Sequence, residues 1–269
     1  MARAAFYCIA FLCLALACPA WADTLSMQTS MTISVGQGKI HVQVSITNKG
    51  TASAHKLAAH LFLLETKLKS PEISELAPGQ TQNVSYDKPW PVPLAGEFPA
   101  VLLLTYQDEA GYPFSALHCN AFKGRQSPDP DLSAKAADFA ISQKGSVSAW
   151  VSYPGKAPKL VSARLVLPNE LDSPKKATTL KLSGGAAQQL AFEVENRSAL
   201  PGATYPVYIL FEYEDGPTHH TVVSQAMAMV GSPESWFRRT RRVWIVAACL
   251  LVAALLAGGA MALRKRTGA

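Results

Sequence analysis

The chain has 269 residues, of which 49% are hydrophobic and 16% are charged, and its formal net charge is +6. Of its 25 Lys and Arg residues, one lies in the first 22 residues and seven flank an apolar run near the C-terminus. Residues 23–234 therefore hold 17 basic against 19 acidic residues, a net charge of −2. Because the basic surplus belongs to the chain ends, the composition gives no support to nucleic-acid binding, and we expect no nucleic-acid partner.

The N-terminus has the pattern of a secretory signal peptide. Arg3 precedes the apolar stretch Phe6–Ala17, and Ala20-Trp21-Ala22 offers a small-x-small cleavage pattern. We predict a signal peptide over residues 1–22. Lipidation of Cys18 is the alternative that this region leaves open. Between residue 23 and the C-terminal apolar run the only cysteine is Cys119, so this part of the chain cannot form an internal disulfide.

The middle of the chain contains an internal repeat. Leu76–Tyr86 aligns with Leu182–Phe192, which begins 106 positions later, and Phe98–Asp108 aligns with Tyr205–Asp215, which begins 107 positions later. Two copies of about 100 residues each match the usual size of a domain. The repeat therefore predicts two domains of one kind in tandem.

Each copy is predicted to consist of β-strands. Ile40, Val42, Val44 and Ile46 alternate with polar residues, the period-2 pattern of a strand with one solvated face. Val101–Tyr106 and Val207–Tyr213 are nearly continuous apolar runs, typical of central strands, and glycine-containing turns separate the segments.

These patterns predict an all-β protein with one C-terminal transmembrane α-helix. About seven strands per copy would form two tandem immunoglobulin-like antiparallel β-sandwiches. We place the first over residues 23–122 and the second over residues 137–231. The linker 123–136 between them is polar and contains Pro128 and Pro130, so we expect separate domains on a short tether.

Several of these motifs resemble the bacterial and archaeal immunoglobulin-fold repeats called CARDB and the related NEW3 modules. The similar residues are Ile46-Thr-Asn-Lys-Gly-Thr51 at a strand end, Leu76-Ala-Pro-Gly-Gln80 at a turn, and Gly96-Glu-Phe-Pro99 before a long strand. In the second copy, Leu182 and Gly185 correspond to the turn, and Gly202 and Tyr205-Pro206 correspond to the segment before the long strand. The second copy lacks the Asn-x-Gly turn. The resemblance implies spacer, adhesive or interaction modules and says little about activity.

The C-terminal region predicts a membrane anchor. Residues 243–263 form 21 positions without a charge, Pro, Asn or Gln, enough to cross roughly 30 Å of hydrocarbon as a helix. We predict a juxtamembrane basic stalk over 232–242 and a short cytoplasmic tail over 264–269. The residues predicted to lie at the membrane interface are Trp236, Phe237, Arg238, Arg239, Arg241 and Arg242.

The predicted span also has a face of small residues, Ala254, Gly258 and Ala262, on which another helix could pack. Retention of the span as an anchor and its removal as a sorting tag both fit this pattern.

Few residues suggest chemistry. His219 and His220 are weak metal candidates, because adjacent strand residues point to opposite faces and their rings should not converge. Trp90, in a proline-rich loop, is a candidate partner or glycan contact, or alternatively closes one end of a sandwich. The acids Asp108-Glu109 and Glu214-Asp215 fit solvated turns. We predict no catalytic residues and no cofactor.

The sequence therefore favours a non-enzymatic protein of the plasma (inner) membrane. It would cross once, with a periplasmic or extracellular ectodomain and a cytoplasmic C-terminus. Its two domains would mediate protein–protein interaction or scaffolding with other envelope proteins. The alternatives are a carbohydrate- or ligand-binding module displayed at the membrane, and a metal- or redox-linked accessory protein using His219, His220 or Cys119.

Overall fold

A computed structural model describes residues 24–36, 38–90, 95–124 and 128–231, and all regular secondary structure in these ranges is β-strand. The first half contains the strands β1 (Met27–Gly36), β2 (Lys39–Asn48), β3 (Ala54–Leu63), β4 (Thr66–Lys69), β5 (Ile73–Leu76), β6 (Thr81–Pro89), β7 (Glu97–Gln107) and β8 (Pro113–Lys123). The second half contains β9 (Ser133–Ala136), β10 (Phe139–Ile141), β11 (Lys144–Ser152), β12 (Lys159–Val166), β13 (Leu171–Asp172), β14 (Ala177–Leu182), β15 (Gln188–Asn196), β16 (Thr204–Asp215) and β17 (Thr218–Val230).

The first half is a sandwich of two antiparallel sheets. One sheet has the order β1-β2-β6, and the other has the order β4-β3-β7-β8 with β5 also paired to β3. The alternating residues of β2, Ile40, Val42, Val44 and Ile46, are completely buried between the sheets, because every second side chain of a strand points to the same face. The period-2 prediction for this strand is confirmed.

The Asn-x-Gly motif ends β2 with a buried side chain. Asn48 donates from Nδ2 to the carbonyls of Ala52 (2.8 Å) and Leu76 (2.9 Å), and its Oδ1 accepts from the Gly50 amide (2.9 Å). One side chain thus satisfies three backbone groups of two different turns. Gly50 lies so close to the backbone of Thr24 that a Cβ would stand 2.1 Å from its carbonyl oxygen, so only glycine fits there.

The second half is a sandwich of the same design. Its sheets have the orders β13-β15-β11-β9 and β10-β17-β16-β12-β14. All pairings are antiparallel except that of β10 with the end of β17, which is parallel. The largest fully buried side chain is Phe211 of β16. The prediction of an all-β, antiparallel architecture is therefore confirmed for the described residues.

Two details differ from the sequence prediction. The halves contain eight and nine strands rather than about seven, because short strands such as β4 and β13 are too brief to show a period. The predicted linker 123–136 is also partly ordered in strands: β8 extends to Lys123, and β9 pairs with β11. Leu132 and Ala136 already belong to the second core. The apolar pattern that they form is only a few residues long and does not reveal a strand in the sequence.

The two sandwiches pack against each other, which corrects the expectation of separate domains on a tether. The outer faces of β7 and β8 contact those of β16 and β17. The described residues include no helix with the length and apolar character of a membrane span, and the span predicted at 243–263 lies outside them.

Candidate interdomain interaction site

An apolar cluster joins the two sandwiches, and we call this interface the seam. It comprises Val101, Leu117 and Cys119 of the first sandwich and Tyr208 and Leu210 of the second, all buried. Its origin lies in β7 and β16, whose side chains are apolar on both faces. One face of each strand enters its own core, and the other enters the seam, which explains the continuous apolar runs in the sequence.

At one end of the seam the two backbones meet directly. The His219 amide donates to the Ala95 carbonyl at 3.1 Å, and Gly96 forms a parallel bridge with His219. A Cβ on Gly96 would stand 1.9 Å from the His219 carbonyl oxygen, and the φ of Gly96 is 125°. This approach therefore requires glycine. Beside it the imidazole of His219 stacks on the Phe98 ring, with centroids 4.9 Å apart.

At the other end of the seam a buried carboxylate binds the first sandwich. Glu170, only 2% exposed, lies in the loop between β12 and β13. It accepts hydrogen bonds from the Ser115 amide and, at 2.6 Å, from the Ser115 hydroxyl. The Asn169 amide in turn donates to the same hydroxyl oxygen at 2.9 Å. Polar contacts at both ends of the apolar cluster thus fix the angle between the sandwiches.

Two carboxylates surround the His219 ring. Its Nδ1 lies 2.7 Å from Glu214 Oε1, and its Nε2 lies 3.6 Å from Glu212 Oε1. The Glu212 carboxylate is the main cause that raises the pKa of His219, and Glu214 adds to it. The side chain of Glu212 is 20% exposed, while that of Glu214 is 65% exposed.

Along the side of the seam runs an open cleft, which we call the seam groove. It consists of two adjoining cavities of about 720 Å³ and about 760 Å³ that share Glu212, Glu214 and His219. The first is walled by the β3–β4 hairpin, including Phe62, and the second is floored by Leu160 of β12. Phe62 is 39% exposed and Leu160 is 67% exposed. The groove therefore combines accessible apolar side chains with carboxylates.

A lysine between two aromatic rings joins the linker to the second sandwich. The Nζ of Lys159 lies 4.5 Å from the ring centroids of both Tyr153 and Tyr213, and 3.3 Å from the carboxylate of Asp131. The Tyr213 hydroxyl donates to the same carboxylate at 2.7 Å. Charged contacts of this kind hold the start of the second domain in place.

The predicted metal candidates point in different directions. His219 faces the first sandwich, whereas His220 is 3% exposed and stacks on Tyr213 with centroids 4.8 Å apart. The rings therefore do not converge, as the strand periodicity indicates. Across the described ranges no group of three or more His, Cys, Asp or Glu is placed to hold a metal ion.

Cys119 lies in the seam, where burial raises the pKa of its thiol to about 12.

Trp90 packs at the end of the first sandwich. Its ring makes edge contacts with Phe98 and Phe122, at centroid distances of 6.1 Å and 6.2 Å. Its amide donates to the Gly38 carbonyl at 2.7 Å. In this position Trp90 closes the end of the sandwich, which is one of the two roles that the sequence allowed. Its other role, as a partner or glycan contact, stays a prediction.

Other predicted sites fall outside the described residues. They are the interface residues Trp236, Phe237, Arg238, Arg239, Arg241 and Arg242 and the small-residue face Ala254, Gly258 and Ala262. Cys18 of the alternative lipidation site also lies outside them. The roles assigned to these residues stay predictions.

Sequence reasoning missed four residues of interest: Phe62, Trp150, Leu160 and Glu170. Trp150 is 41% exposed on the outer face of the sheet β13-β15-β11-β9. The alternation of Val147, Ala149 and Val151 with Trp150 is a signal that could have placed this Trp on the solvent face. The burial of Glu170 depends on a contact with Ser115, 55 positions away, and no local pattern indicates it.

The two stacked antiparallel β-sandwiches place the described residues in the all-β class of proteins. Within it, residues 24–104 match the CARDB family model. The match covers β1 to most of β7, fewer than a third of the 269 residues. CARDB modules are non-catalytic immunoglobulin-like domains, so this part of the chain is assigned to that kind of module. The resemblance inferred from the Asn48, Leu76 and Gly96 motifs is confirmed for the first copy.

Comparison with curated proteins finds no match. Among solved structures, red sea bream transglutaminase is 9% identical with a TM-score of 0.28, covering 77% of this chain and 31% of its own. Trypsin-activated alpha-2-macroglobulin from Escherichia coli is 10% identical with a TM-score of 0.31, covering 78% and 18%. A protein of unknown function from Porphyromonas gingivalis W83 is 11% identical with a TM-score of 0.28, covering 76% and 99%.

The chain thus spans less than a third of the transglutaminase and less than a fifth of the macroglobulin. TM-scores of this size mark weak similarity and say nothing about the function of this chain.

Proposed function

We propose that this protein is a non-enzymatic, membrane-anchored envelope protein whose two immunoglobulin-like domains bind or scaffold other envelope proteins. The signal peptide predicted at 1–22 and the span predicted at 243–263 supply the topology, with the ectodomain outside the cytoplasm. The observation that carries the proposal is the seam, because it turns two modules into one platform of defined shape.

Three further features support an interaction role. Residues 24–104 match a family of non-catalytic modules. The seam groove offers exposed apolar side chains with polar groups around them, and protein interfaces likewise have an apolar core and a polar rim. The closure of the seam by Gly96 and Glu170 prearranges this surface, and prearrangement lowers the entropy lost on binding.

The test is purification of the full-length protein from native membranes in mild detergent. We expect a partner in stoichiometric amount that remains bound after size-exclusion chromatography. A protein recovered only as a lone monomer at native expression would overturn the interaction role. Protease added to spheroplasts should cleave the ectodomain; full protection before lysis would overturn the proposed orientation.

A second candidate function, display of a carbohydrate-binding module, is favoured by the exposure of Trp150. Its ring stands on a sheet face beside Ser148 and Ser152 of the same strand, and Gln189 of β15 is its cross-strand neighbour. An exposed aromatic face with adjacent hydroxyl and amide groups suits a sugar ring. Binding on a glycan array that disappears with Trp150→Ala and persists with Trp90→Phe would favour this function over scaffolding.

A further inference from the structure

The seam groove has the size and position of a site for a polymer segment. Small-molecule sites usually measure roughly 300–1,000 Å³. Each of the two cavities reaches this size alone, at about 720 Å³ and about 760 Å³, and they adjoin through shared residues. The groove adjoins the seam, since its lining includes Val101 of the seam and also Phe98 and His219, which stack at one end of it.

The apolar part of the groove consists of side chains that folding leaves accessible. Six large hydrophobic residues are exposed in the described ranges, and Phe62 and Leu160 both line the groove. They stand on different domains, and each lines one of the two cavities that share Glu212 and Glu214. An occupant that covers both must therefore bridge the two sandwiches, and it would bury apolar surface at each end.

The net negative charge of the groove favours an occupant with basic side chains. Its carboxylates are Glu65, Glu212, Glu214 and Asp215, and its cations are Arg164 and Lys159. Both cations are already engaged, Arg164 with Glu212 at 3.3 Å and Lys159 with Asp131 and Asp215. Within the part of the chain that the structure describes, Glu65 forms no ion pair, and Glu214 contacts only His219 among basic groups. Lys67, above the Phe62 ring, lies outside the lining.

We propose that the seam groove binds a segment of a partner protein in which an apolar side chain stands next to Lys or Arg. The apolar side chain contacts Phe62 or Leu160, and the basic side chain pairs with Glu214 or Glu65. This inference rests on the proposed interaction function and specifies the chemistry of the partner. Charge complementarity at such a site governs specificity and the rate of association.

A peptide array tests the chemistry directly. The full-length protein in detergent is applied to decapeptides that combine Leu or Phe with Lys or Arg, and to the same peptides with Asp or Glu instead. We expect binding to the basic set at least tenfold stronger than to the acidic set. The double substitution Glu65→Lys with Glu214→Lys should abolish the difference. Glu193→Lys with Glu195→Lys, on the far sheet, is the matched control and should leave it unchanged.

Photo-crosslinking in native membranes tests the location. A benzophenone amino acid is placed at Phe62, at Leu160 or, as the control, at Trp150. We expect crosslinks from the first two positions to a peptide that contains Lys or Arg, and a loss with the Glu65/Glu214 reversal. Equal array binding to both peptide sets, or crosslinks from Trp150 alone, would overturn the groove while leaving an interaction role intact. Absence of any stoichiometric partner would instead overturn the proposed function.

Discussion

The imidazole of His219 lies flat on the ring of Phe98, with centroids 4.9 Å apart and an interplanar angle of 10°. The two residues belong to different sandwiches and are 121 positions apart in the chain. Because His219 also touches Glu212 and Glu214, this stack couples a titratable group to the orientation of the domains. The seam is therefore the part of the molecule on which substitutions should have the clearest effects.

Gly96→Ala should open this end of the seam. The new Cβ would meet the His219 carbonyl oxygen at 1.9 Å, in addition to the strain of a positive φ, which costs about 1–3 kcal/mol by itself. Gly111→Ala is the matched control, because Gly111 also has a positive φ (83°) but a Cβ added there would meet no atom within 4 Å. Urea denaturation should show a larger loss of unfolding free energy for Gly96→Ala. Equal losses would mean that the backbone contact contributes nothing.

The stability of the protein should depend on the protonation of His219. Its pKa is raised in the folded state, so the protonated ring stabilises the fold. This contribution is complete below the unfolded value of 6.5 and is lost as the pH rises through the folded pKa. The free energy of unfolding of the wild type, minus that of His219→Gln, should therefore fall as the pH rises above 6.5.

Subtracting the variant matters because other histidines have the opposite effect. Burial lowers the pKa of His60 and of His118, so both favour the folded state at higher pH. A difference curve that is flat or that rises with pH would contradict the role assigned to His219.

Glu170→Ala should destabilise the other end of the seam. It would leave the Ser115 amide and hydroxyl without their acceptor, and a buried unsatisfied group costs about 1–3 kcal/mol. Glu170→Gln keeps one carbonyl oxygen in place and should cost less. Hydrogen exchange at the Ser115 amide reports the contact directly. Unchanged protection of this amide in Glu170→Ala would show that another group accepts the bond.

The Cys119 thiol should be inert while the seam is closed. Burial raises its pKa to about 12, so only a minute fraction is thiolate at pH 8. Iodoacetamide should modify it slowly in the native full-length protein and completely in denaturant, as followed by mass spectrometry of the peptide that contains it. Gly96→Ala should accelerate the reaction. Rapid labelling of the wild type would mean that the seam opens readily.

Local patterns predict the strands well and the contacts between domains poorly. The alternation around Val42 indicates a strand with one buried face, because that pattern depends only on neighbours in the chain. The apolar run that includes Val101 and Leu102 predicts a central strand, but it does not indicate what covers the outer face of that strand. Val101 packs in the seam and Leu102 in the core, and their partners are set by tertiary structure.

In the candidate site, too, local features were predictable and contacts between domains were not. The opposite orientation of His219 and His220 follows from strand geometry and was predictable. The groove was not predictable, because its lining combines Phe62 and Leu160, which lie about 100 residues apart in the chain. The proline-rich linker also misled the prediction, since Pro128 and Pro130 indicated a spacer while Asp131 is held by Lys159 and Tyr213.

The parallel pairing of β10 with the end of β17 has a mechanical consequence. In parallel strands the start of one and the finish of the other lie at opposite ends, so tension applied between Phe139 and Gly231 acts along these two strands. The three residue pairs, and the hydrogen bond from the Gly231 amide to the Ile141 carbonyl, are then loaded in shear and must break together. We expect force spectroscopy to record a higher rupture force for this domain than for an Ile141→Pro variant, a resistance that would suit the proposed anchoring at the C-terminal side.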